Sequence, residues 1–182
     1  MPSEDHTAEH PTRVNSFTAA DVLAILHERQ WLSADPTVEQ LAWCERAAAL
    51  LGHHVTDLVG LADLLQLVFA YDAAQILQSS DSHAVLTRYA ARVVVRQLAL
   101  LLLDSRPFDS DRFKDTVTHL KETLQIRGRD LFHPLRLALA GRAGEGQLDR
   151  VILLLDDAAG LPFAVPVKSV RTRILEFCSS LD

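Results

Sequence analysis

Cysteine is nearly absent from this chain: Cys44 and Cys178 are the only two. Two thiols cannot build a four-ligand zinc site, and they match no metal-ligand spacing. Both sit inside apolar helical patterns, so each is expected to be a buried free thiol, which points to a cytoplasmic location. Glycine and proline are scarce as well, at seven each in 182 residues. That scarcity excludes collagen-like, low-complexity and turn-rich all-β chains. The apolar run at 98–103 is far shorter than the roughly 20 residues a membrane span requires. No membrane partner is expected. The first fifteen residues are polar and acidic, without the apolar centre of a secretory signal.

Chemistry-bearing motifs are also missing. There is no phosphate loop and no dinucleotide-binding glycine fingerprint, and no nucleophile elbow. His53 and His54 are adjacent, so on a helix they would point about 100° apart and could not chelate as a pair. His27-Glu28 lacks the second histidine of a zinc protease helix. His119 and His133 read as structural or surface residues. No catalytic residue, metal site or cofactor is expected.

What the chain does have is leucine and alanine in helical periodicity, with 48% apolar residues, enough for a sizeable core. Thr18 with Asp21 opens a first helix carrying Val22, Ile25 and Leu26. Asp35-Pro36 serves as cap and first residue of a second helix, which Gly52 ends. Thr56 opens a third, and a short helix covers 73–77. A serine-rich cap at 79–82 starts one long helix to Leu103, with Val85, Tyr89, Val93, Leu98 and Leu102 in its pattern. Pro107 breaks it and Asp109 caps the next, which runs toward Gly128. Pro134 begins a short helix that stops at Gly141, 148–155 begins another, and 167–177 is a last basic and apolar helix. The expectation is an all-α bundle or cage of about eight or nine helices. It has a flexible polar tail at 1–16, a first helical lobe at 17–106 and a second at 107–182.

Net charge is −6, the wrong sign for a general nucleic-acid binder. The charge is unevenly spread. Residues 1–85 hold 3 Lys and Arg against 12 Asp and Glu, whereas residues 86–150 hold 12 against 8, a local +4. The basic part contains the most informative stretch. Arg127-Gly128-Arg129 leads into Leu131-Phe132-His133-Pro134-Leu135-Arg136, and Gly141, Gly144 and Gly146 follow before Leu148. A basic loop, a helix start and glycine-rich backbone together expose N–H groups and guanidinium donors suited to phosphates and base edges. The residues alone leave Arg136 two readings: a base-edge reader, or an ion-paired helix arginine.

This stretch resembles the signature of the last helical domain of bacterial-type glutamyl-tRNA synthetases. There, a Lys-Gly or Arg-Gly turn precedes Leu-Phe-x-Pro-Leu-Arg-x-Ala-Leu-Thr-Gly. The match here is ungapped from Leu131 to Gly141, and a weaker likeness extends over about 18–156. The resemblance implies an anticodon-binding helical cage with tRNA, tRNA-Glu in particular, as partner. It maps the anticodon-facing arginine to Arg136 and a base-contacting leucine to Leu148; Arg127, Arg129 and Arg142, with Arg150 nearby, are the further RNA-binding candidates that the basic segment itself suggests. Two positions depart from the pattern: Ala140 replaces a threonine, and Gly146 a proline. The His-Ile-Gly-His-type and Lys-Met-Ser-Lys-type motifs of the family's catalytic domain do not occur in the chain. The function implied is therefore tRNA binding without aminoacylation by a stand-alone module. The alternatives are a degenerate module that binds a protein partner such as a synthetase, with the apolar 161–166 segment as a contact, or a fragment of a full synthetase. The initiating Met1 and polar tail favour a complete short chain.

Overall fold

The computed structural model describes residues 15–182, so the tail expected at 1–16 lies almost entirely outside the described residues. Every regular element among the described residues is helical. Helix α1 (Ala19–Glu28) starts where Thr18 and Asp21 predict, with the Asp21 carboxylate accepting the Thr18 backbone N–H at 2.7 Å. Helix α2 (Val38–Leu51) starts two residues later than the Asp35-Pro36 reading. The deciding feature is a reciprocal box: Thr37 Oγ1 accepts the Gln40 N–H at 3.1 Å, and Gln40 Oε1 accepts the Thr37 N–H at 2.9 Å. Two satisfied donors outweigh a proline start. A single 3-10 turn, Gly52–His54, follows. Helix α3 (Leu58–Phe69) is capped by Asp57 rather than Thr56, and the short α4 (Ala73–Leu77) by Asp72.

The long helix expected up to Leu103 is two helices, α5 (Ser80–Leu86) and α6 (Ala91–Leu101). The turn at 87–90 rotates the register, so Val85 and Leu98 stay buried while Tyr89 is fully exposed and Val93 half-exposed. Helix α7 (Ser110–Leu124) begins after the Asp109 cap and ends on Gln125 in the left-handed region, φ 54°. Helix α8 (Arg129–Ala140) begins five residues before Pro134, which lies inside it and not at its first turn. Gly128 supplies the start. Its backbone (φ 61°, ψ −138°) is accessible essentially only to glycine, and its carbonyl accepts the Leu131 and Phe132 N–H groups at 3.1 and 3.0 Å. The last expected helices are α9 (Gln147–Ile152), α10 (Leu155–Ala159) and α11 (Val170–Leu181). The element count exceeds eight or nine because two long patterns divide into short helices.

One buried cluster joins all of these, running from Val22 on α1 to Phe177 on α11 through both expected lobes. Its aromatic centre is Trp31 stacked on Phe69 at 4.6 Å, with Trp43 and Phe163 edge-on to Phe69. The Trp43 indole donates to the Leu154 carbonyl at 3.1 Å, so a buried donor is satisfied. The apolar 161–166 segment covers this core. Phe163 is buried in it, and Ala164 N–H donates to the Trp31 carbonyl at 2.7 Å.

Arg173 is the least expected core residue. It is fully buried on α11, and all of its hydrogen bonds go to backbone carbonyls. Its guanidinium donates to Lys168 O at 3.0 Å, Leu67 O at 2.9 Å, Leu139 O at 3.0 Å and Val68 O at 2.6 Å, and lies over the Tyr71 ring at 4.5 Å. Leu67 and Val68 end α3, and Leu139 ends α8. One cation therefore closes the orphan carbonyls of two helix C-termini, where the helix dipoles favour positive charge. Burial pushes the Arg173 guanidinium down to about 10, so it stays charged at neutral pH.

Both cysteines are free. Cys44 is completely buried, and burial together with Glu45 pushes its thiol up to about 11. Burial also raises the half-buried Cys178. A thiol reagent applied to the native protein is therefore expected to modify Cys178 slowly and leave Cys44 untouched until denaturant is added. Mass spectrometry of the labelled peptides checks this, and rapid labelling of Cys44 in native buffer would contradict it.

Candidate nucleic-acid interface

The signature segment folds as α8, a glycine-rich loop at 141–146 and α9, with basic residues at both ends. Arg127 and Arg129 flank Gly128 and are exposed at the start of α8. Arg142 is exposed at its other end, and Arg150 is exposed on α9. His54, in the 3-10 turn, is held below the ordinary imidazole value by burial first and then by the positive charge of Arg150. Gly141 ends α8 in the left-handed region with φ 81°, where a Cβ would lie 3.0 Å from Ile76 Cδ1. Only glycine combines that backbone with that proximity.

Arg136 is turned inward. Its Nε and Nη2 donate to the two Asp149 oxygens at 2.7 and 2.9 Å, and its Nη1 to the Gly144 carbonyl at 2.7 Å. The guanidinium also lies 4.7 Å from the Phe132 ring centre. Of the two readings the residues left open, the free protein shows the ion pair. A bidentate arginine–carboxylate pair with only 10% and 21% of the side chains exposed holds both groups in one geometry. It ties α8 to the first turn of α9 and stretches the glycine loop between them. Leu148 is buried beneath that loop, and a Cβ on Gly144 would approach its Cδ1 to 3.0 Å. The departures at Ala140 and Gly146 fit the backbone. Ala140 is buried, and Gly146 has φ −61°, which a proline could also adopt.

Around the start of α8, arginine charge acts on one imidazole and favours its neutral form. Burial first, then Arg88, Arg129 and Arg136, lowers the His133 value, against a smaller opposing effect from Glu145. Phe132 is half-buried, with Lys121 Nζ 5.5 Å from its ring centre and Arg136 on the same ring. Of the predicted residues, Arg127, Arg129 and Arg142 are available at the surface, whereas Arg136 and Leu148 support the loop from within. Sequence reasoning missed Asp149, Phe132, His133 and Arg88 as parts of this site. Asp149 follows Arg136 by thirteen positions across a loop, a separation with no helical periodicity. Arg88 comes from a different helix pair. Among the described residues, no cluster of histidine, cysteine or acidic side chains could hold a metal ion, and no helix is long and apolar enough to cross a membrane.

The described residues thus form an all-α domain in which exposed arginines flank a helix, a glycine-rich loop and a second helix. The chain belongs to the anticodon binding domain family, whose model matches residues 18–158. Its relatives are glutamate–tRNA ligases. It is 24% identical over 115 residues to glutamate–tRNA ligase 2 of Syntrophus aciditrophicus, covering 63% of this chain and 23% of that protein. It is 22% identical over 133 residues to the glutamate–tRNA ligase of Exiguobacterium sibiricum, covering 73% and 27%. It is 34% identical over 62 residues to a glutamate–tRNA ligase of Coxiella burnetii, covering 34% and 11%. The chain thus spans about a quarter of the length of the first two relatives, and the family match is to the anticodon-binding domain. No solved structure matches the chain at comparable stringency.

Proposed function

We propose that this chain binds tRNA, tRNA-Glu being the first candidate, through the α8–loop–α9 face, and does so without aminoacylating it. The observation that carries this reading is the clamped loop. The family signature is folded with exposed Arg127, Arg129 and Arg142 around a backbone held rigid by Arg136, Asp149 and Gly144. In this reading the exposed arginines meet phosphates and bases, while Arg136 and Leu148 shape the surface they stand on. Pre-set geometry of this kind lowers the entropic cost of binding. The absence of the two catalytic-domain motifs from the sequence supports binding without catalysis.

The test is a salt-titrated binding assay with tRNA-Glu and an unrelated tRNA. Wild type is expected to bind tRNA-Glu more tightly, with affinity falling steeply as salt rises. Each of Arg127→Ala, Arg129→Ala and Arg142→Ala should reduce the slope of log affinity against log salt by about 0.7–0.9. Absence of binding at low salt would overturn the reading. It would favour a protein partner such as a synthetase, for which exposed Leu58 and Val59 at the start of α3 offer an apolar contact.

A further inference from the structure

The turn between α5 and α6 carries the most exposed large apolar side chain among the described residues. Tyr89 is 100% exposed and makes no ring contact with any other aromatic or cation among the aromatic and cation–π pairs formed. The other tyrosine, Tyr71, and both tryptophans are buried. Its surroundings are basic. Arg88 precedes it in the same turn, and Arg92 stands exposed in the first turn of α6. The turn is also joined to the candidate interface: Arg88 Nη1 lies 3.5 Å from Asp130 Oδ1, in the first turn of α8 next to Arg129. A free aromatic face between arginines is the arrangement that holds an unpaired base. The ring stacks on it regardless of base identity, and the cations neutralise the flanking phosphates.

We propose that the turn at 87–90 is a second RNA-contact point, in which Tyr89 stacks on an unpaired base of the RNA bound by α8 while Arg88 and Arg92 meet its phosphates. This rests on the tRNA-binding reading above. The occupant is single-stranded RNA because the turn sets one exposed ring, free of any other aromatic contact, beside two exposed guanidiniums, a pairing that suits a base and its phosphates.

The experiment is fluorescence anisotropy of labelled tRNA-Glu with the full chain, comparing wild type, Tyr89→Ala, Tyr89→Phe and Arg88→Ala across a salt series. Thermal melting should be unchanged in the Tyr89 variants, because the ring packs against nothing. Tyr89→Ala is expected to weaken binding roughly tenfold at every salt concentration, and Tyr89→Phe to stay within about twofold of wild type. Arg88→Ala should reduce the salt slope by about 0.7–0.9, whereas neither Tyr89 variant should change it. If Tyr89→Ala binds as wild type does, this inference falls and the α8 reading stands. If Tyr89→Phe is as weak as Tyr89→Ala, the hydroxyl and not the ring face makes the contact, and stacking is wrong. If wild type binds no RNA, the tRNA reading fails and carries this one with it.

Discussion

Arg173→Met is expected to lower stability by about 3–5 kcal/mol, the largest single-residue loss in the chain. Replacing a buried ion by an apolar group of similar volume is often harmless, because both members of a pair can be exchanged together. Here the partners are backbone carbonyls that cannot be exchanged. Removing the guanidinium leaves Leu67, Val68, Leu139 and Lys168 carbonyls without the donor they share. It also strips Tyr71 of a cation 4.5 Å above its ring. Arg173→Lys should recover only part of the loss, since one ammonium cannot span the ends of α3 and α8 at once. For a chain of this size, each kcal/mol corresponds to about 2–4 °C in melting temperature, so the Met variant should melt at least about 6 °C below wild type. Thermal and urea unfolding followed by circular dichroism measure it. A Met variant within about 1 kcal/mol of wild type would show that water or a local shift satisfies those carbonyls.

The second large effect concerns Arg136 and Asp149. Arg136→Ala should cost about 2–3 kcal/mol, because it removes three charge-assisted hydrogen bonds and leaves the Asp149 carboxylate in a mostly buried position. It should also weaken tRNA binding, through release of the loop at 141–146. Asp149→Asn distinguishes the ways Arg136 can act. If Arg136 holds the loop in place, Asp149→Asn lowers both stability and tRNA affinity, in parallel with Arg136→Ala. That is the outcome expected. If instead tRNA affinity rises in Asp149→Asn, then Asp149 competes with RNA for the guanidinium, and Arg136 itself reaches the bound nucleic acid. Urea midpoints and binding constants measured on the same preparations give both readouts. Buffer without RNA is the control for loop release.

The sequence by itself determined that the protein is helical and where most helices start. Those features are local. Thr18, Ser79 and Asp109 cap the helices that follow them as read, and the third helix starts one residue from the Thr56 reading, at Asp57; cap and periodicity act within a few residues of one another. The signature from Leu131 to Gly141 identified the family for the same reason: it is contiguous. Tertiary structure decided what periodicity cannot encode. A four-residue turn between α5 and α6 moved Tyr89 from a core position to the surface, because a helical register survives only while the helix does. Arg173 read as one charge on a basic helix. Its burial depends on two helix ends arriving from Leu67, 106 positions away, and Leu139, 34 positions away. Arg136 looked equally suited to RNA or to an acid. Its choice of Asp149 was made by the fold of the glycine loop, which brings together groups that sequence separation keeps apart.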